Sequence, residues 1–176
     1  MASRRTNLAE GIKLVLTAAI AGSEIGTVGQ TFDVDRVDFI NLEIALDEAE
    51  TFKLRIVPRA SKAETPDRNS IPQHDSVAVM LLRRMAKDEL SDSQIAAFVA
   101  ECVLVMEQVE TVLLKRANAR PWQLVSGATD GPAFESFSYQ TRGNAEELIY
   151  NPEALSQRRQ FESRMVVTYW GNRGTD

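Results

Sequence analysis

Cys102 and His74 are the only cysteine and the only histidine among the 176 residues. Any imidazole-assisted nucleophile would therefore have to be built around His74. His74 stands beside Asp75, a pairing that can serve as a general base, but the neighbouring sequence offers neither a nucleophile nor a glycine turn. An ordinary surface histidine accounts for it as well. Cys102 falls on the apolar stripe of a long helical segment, where a thiol is a small buried hydrophobe. A single cysteine makes no intramolecular disulfide, and one Cys with one His does not make a zinc set of the usual kind. Asp33, Asp35 and Asp38 have a spacing near that of a calcium loop, but the Gly and the terminal Glu at the required offsets are missing. No G-x-x-x-x-G-K-[ST] run occurs, and none of the nine glycines forms G-x-G-x-x-G. The residue types point to no catalytic set, metal or cofactor, and so to a protein that works by shape and contact.

A chain of this length, 44% hydrophobic, has material for one domain and a real core. No apolar run approaches the roughly 20 residues of a membrane-spanning helix. The N-terminus leads into an amphipathic segment instead of a signal-peptide core, so the expectation is a soluble, non-secreted protein. Leu8, Ile12, Val15, Leu16 and Ala19 recur at helical spacing and predict a helix over 7–21, with Asn7 as N-cap and Gly22 as stop. Strands are expected at 31–37 and 52–57, the second with Phe52, Leu54 and Ile56 on one face and ended by Pro58. Residues 59–75 are polar with two prolines and read as a long exposed loop. Residues 76–85 are apolar on both alternating sets, which suits a central strand. Ser91 and Gln94 form a capping box, after which Ile95, Phe98, Val99, Cys102, Val103, Met106, Val109 and Leu113 predict a long amphipathic helix. A short strand at 122–125 and a longer one at 161–170 complete the elements, with a second long loop over 126–151 between them. The expected fold is a single-domain α+β two-layer sandwich, a mainly antiparallel sheet with two helices on one face.

The run Tyr150-Asn151-Pro152-Glu153-Ala154-Leu155, followed by Arg158-Arg159-Gln160-Phe161-Glu162-Ser163 and a strand to Tyr169, resembles the end of small neck and tail-end proteins of tailed bacteriophages. There a Y-x-P-x-x-L turn precedes a basic pair and an aromatic-led terminal strand. The opening helix and the strand ending in Ile56-Val57-Pro58 are similar in layout. The resemblance is greatest to the tail terminator (tail completion) family. It implies a virion protein, assembled in the host cytoplasm, that forms a six-fold homo-oligomeric ring. Its implied partners are the tail-tube protein and the head-tail connector proteins, with DNA passing through the channel without specific binding and no membrane involved. A head-tail stopper, an adaptor or a tail-tube subunit would share the layout. A small-molecule-binding or enzymatic α+β domain is the alternative from another class, and it would need an inward cluster of polar residues between helix and sheet.

Within a ring, the charges acquire roles. The chain carries 20 Lys plus Arg against 25 Asp plus Glu, which does not favour a broad grip on nucleic acid. Residues 33–50 hold seven acids against Arg36. Asp38, Glu43, Asp47 and Glu48 are candidates to line the channel, where negative potential keeps DNA from sticking. A solvated loop and strand face explains the same run. Asp33 and Asp35 on one flank, with Arg83, Arg84, Arg158, Arg159 and Arg164 on another, would favour head-to-tail contact. Ordinary surface charge is the plain alternative. Trp170, close to the end of the chain, is either a core or an interface anchor.

Overall fold

The structure, a computed structural model, describes residues 4–37, 44, 48–59, 62–63, 70–86, 90–128, 131–140 and 148–174. In chain order the elements are α1 (Arg4–Ala21), β1 (Thr31–Arg36), β2 (Thr51–Pro58), β3 (Lys62–Ala63), β4 (Ser70–Arg84), α2 (Asp92–Leu114), β5 (Ala133–Tyr139), α3 (Pro152–Arg158) and β6 (Gln160–Gly174). Two 3₁₀ turns, Arg116–Asn118 and Pro121–Leu124, follow α2. The sheet runs β1-β2-β4-β6-β5, with β3 added against β4. Only β1 and β2 are parallel; every other pairing is antiparallel. The fold is thus α+β with a mostly antiparallel sheet, as expected.

Strand alternation builds the core. Phe52, Leu54 and Ile56 of β2, Val77, Val79 and Leu81 of β4, and Phe161, Met165, Val167 and Tyr169 of β6 are all buried on one face. Against them lie Leu8, Ile12 and Leu16 of α1 and Cys102, Val105, Met106 and Val109 of α2. Each fully buried large aliphatic or aromatic side chain contributes about 1.5–3 kcal/mol. On the opposite face Met80 and Leu82 pack with Ile44, so β4 is apolar on both sides there, as a central strand is. The α2 capping box is present as read: the Ser91 hydroxyl accepts from the Gln94 amide while the Gln94 side chain accepts from the Ser91 amide.

Four expectations are corrected. First, α1 begins at Arg4, a turn before Asn7, and Arg4 reaches the sheet, its Nε 3.1 Å from the Oδ2 of wholly buried Asp75. Second, residues 59–75 are not one loop. β3 lies within that range, and 70–75 are the first residues of β4, paired with 169–174 of β6. Hydrophobic patterning does not announce this stretch because β2 pairs only with 77–82 of β4, leaving the earlier residues beyond its reach. Pro72 is tolerated because neither β2 nor β3 pairs with it.

Third, 122–125 forms a 3₁₀ turn, not a strand. Pro121 sits at its first position, a Cβ on Gly11 of α1 would stand 2.2 Å from the Pro121 carbonyl oxygen, and the buried Trp122 indole donates to the Pro132 carbonyl at 2.9 Å. Fourth, the 126–151 stretch contains β5. A bulge between Phe134 and Ser136 shifts its register, so Phe134, Phe137 and Tyr139 lose the strict period of two that marks a strand. The Y-x-P-x-x-L run continues into α3, capped by Asn151, whose side chain accepts from the Glu153 and Ala154 amides.

Tyr169 is fully buried, and burial pushes its hydroxyl pKa well above the ordinary value. The hydroxyl has no hydrogen-bond partner among the described residues, a situation that costs about 1–3 kcal/mol. Tyr169→Phe is expected to raise unfolding free energy by about 1 kcal/mol, read as a higher urea midpoint at unchanged slope; a comparable loss would show that the hydroxyl is bonded in solution.

Candidate functional site

Strand geometry dissolves the one catalytic pair visible in the sequence. Successive residues of a strand face opposite ways, so His74 and Asp75 part company. The His74 Nδ1 lies 2.8 Å from Glu135 Oε2 at the β5 bulge, whereas Asp75 turns inward to Arg4. Cys102 is buried at the heart of α2, and burial raises its thiol pKa to about 12. Among the described residues no group of three or more His, Cys, Asp or Glu could hold a metal ion.

Three of the seven acids of the 33–50 run, Asp33, Asp35 and Glu48, pair inside the subunit. Arg55 donates to Asp33 Oδ2 at 2.5 Å and to the Asp33 carbonyl at 3.1 Å. Lys13 Nζ lies 3.1 Å from Asp35, and this hydrogen bond is the main cause holding the Asp35 carboxyl below the usual range. Lys53 pairs with Glu48, and Arg36 Nε stands 3.7 Å from Glu10. Such exposed pairs contribute about 0–1 kcal/mol each; Lys13–Asp35 and Arg36–Glu10 join α1 to edge strand β1, while Arg55–Asp33 joins β2 to β1. Asp38, Glu43 and Asp47 lie outside the described residues.

The basic candidates divide by position. Arg84 donates to the Ile44 carbonyl at 2.9 Å, and Arg158, the last residue of α3, pairs with Glu162 of β6 at 2.9 Å. Arg159 ends α3 in a left-handed conformation with φ 52°, its carbonyl accepting from the Met85 amide at 2.9 Å. Arg84, Arg158 and Arg159 therefore gather at one end of the β4–β6 pair; by register Asp33 lies near that same end of the sheet, two strands from β4 on edge strand β1. Arg164 lies on β6 opposite Met80, half-buried. Trp170 is 45% exposed on β6, between His74 of β4 and Ala133 of β5.

Sequence reading missed the cluster around Arg83. Its guanidinium sits 4.2 Å over the Phe52 ring and 5.3 Å from that of Phe98, while Nη1 donates to Glu101 Oε2 at 2.5 Å. Phe52 in turn stacks on Phe32 at 5.1 Å, so a column of planar groups crosses from β1 to α2. Glu101 Oε1 accepts from Gln30 Nε2 at 2.7 Å, and Gln30 Oε1 accepts from the Thr27 amide at 2.8 Å. Two turns further along α2, the Gln108 side chain accepts from the Gly26 amide at 2.8 Å. Gly26 has φ 81°, which excludes most other residues.

These bonds pin the 26–30 turn across α2 and hold Val28 fully exposed at its tip. A cleft of about 600 Å³ opens beside it, lined by Val28, Gln30, Arg83, Arg84, Gln94 and Phe98 among others. A polar cluster between helix and sheet therefore does exist, at the flank of the α2 stripe. Glu101 and Gln108, seven residues apart on one side of the helix, were its only sequence signal.

No protein-family model matches the chain, and comparison with curated proteins gives no match. No helix of the described residues is long and apolar enough to cross a membrane.

Two outcomes follow for this region. Arg83→Met should cost about 1–3 kcal/mol in urea unfolding, since it removes the cation–π contacts and the partner of Glu101. Adding Glu101→Gln to it should cost less than Glu101→Gln alone; strict additivity would mean the two do not act together. At pH 8 the Cys102 thiol is protonated as well as buried, so a thiol reagent should label the folded chain only as fast as it unfolds. Rapid labelling without denaturant would contradict that burial.

Proposed function

We propose that the chain is a structural virion subunit, a tail-terminator-like protein that forms a closed ring, six-fold by the family resemblance, at the end of a bacteriophage tail tube. The observation that carries the reading is the β4–β6 ribbon. β4 and β6 are 15 residues each and pair along their whole length, yet β2 reaches only to Val77 of β4 and β5 only to Trp170 of β6. Residues 171–174 alone overhang β5 by about 13 Å, at about 3.3 Å per residue. Beyond Pro58 and Trp170 the ribbon is flanked only by the two residues of β3, at Gln73 and His74; among the described residues no strand pairs with 171–174 of β6 on the β5 side, and an unpaired strand edge offers backbone groups to another chain. Where the overhang begins, Trp170 presents a large aromatic surface of the kind that dominates contact energies.

Charge complementarity between flanks supports the reading less than the ribbon does, because Asp33, Asp35 and Glu48 are already paired within the subunit. The mechanism is geometric. A rigid two-layer wedge holds the ribbon, and the ribbon reaches the neighbouring copy, the tube protein or the connector. DNA would pass through the opening without specific contacts, and the working location would be the assembled virion.

Light scattering across a concentration series, with negative-stain images of any large species, tests this. Expected are masses at ring multiples and closed rings with a central hole. A strict monomer at every concentration, unchanged by added tail tubes, would sink the proposal.

A further inference from the structure

We draw no further inference here: the strongest candidate, the cleft between the 26–30 turn, the end of β4 and the start of α2, carries nothing because its polar side chains Gln30, Arg83, Arg84, Gln94 and Glu101 already bond within the chain, and nothing in the structure shows what covers Val28 at its rim.

Discussion

The antiparallel pairing of β4 with β6 is the constraint on which the other elements rest. Its register runs unbroken from Ser70 opposite Gly174 to Arg84 opposite Gln160. It joins segments far apart in sequence, so the entropy of closing the long intervening stretch, which includes α2, has to be overcome before the pairing stabilises the fold. Once it is made, β2 adds on one side and β5 on the other, and the helix-facing residues of both central strands present one continuous apolar surface. α1 and α2 cover that surface. The Arg4–Asp75 pair then fastens the start of α1 near the base of the overhang. A buried pair of this kind is weak as net stabilisation but costly to break, since a lone carboxylate would be left without water.

A second level of organisation is the way charge is spent. Most charged side chains named as contact candidates turn out to hold one part of the subunit to another. Arg55 and Lys13 neutralise the β1 edge, Arg158 holds Glu162, and Arg83 bolts α2 to β2 through two aromatic rings. Arg suits that last position because its flat guanidinium stacks and donates at once, which a Lys cannot do. The consequence for function is that association, if it follows the proposed course, relies on backbone edges, the ribbon and Trp170 more than on long-range attraction. Such contacts depend on shape and are less sensitive to salt than exposed ion pairs.

How far the sequence reveals this depends on whether an element touches the core. The 3.6-residue stripes of both long helices, the alternation of Phe52, Leu54 and Ile56, and the two-sided apolar run of β4 are direct prints of burial, and each is readable. The outer part of β4 has no such print, because Gln73 and His74 lie beyond the reach of β2. β5 is hidden by one extra residue at its bulge, and the 3₁₀ turn at Trp122 mimics a strand because its aromatic is buried for reasons of tertiary packing. The Arg83 cluster is invisible for a different reason. Its members, Gln30, Phe52, Arg83, and Phe98 with Glu101 on α2, come from four separate places in the chain, and only the fold brings them together.

The claim that most needs a direct test is that this molecule ends a tube. Tubes assembled from a bacteriophage tail-tube protein, incubated with the purified protein and imaged by electron microscopy, give the clearest answer. A ring-forming terminator predicts a cap of added density at one end of each tube, with an opening on the tube axis. Bare tube ends, with the protein left as free monomer in solution, would contradict it.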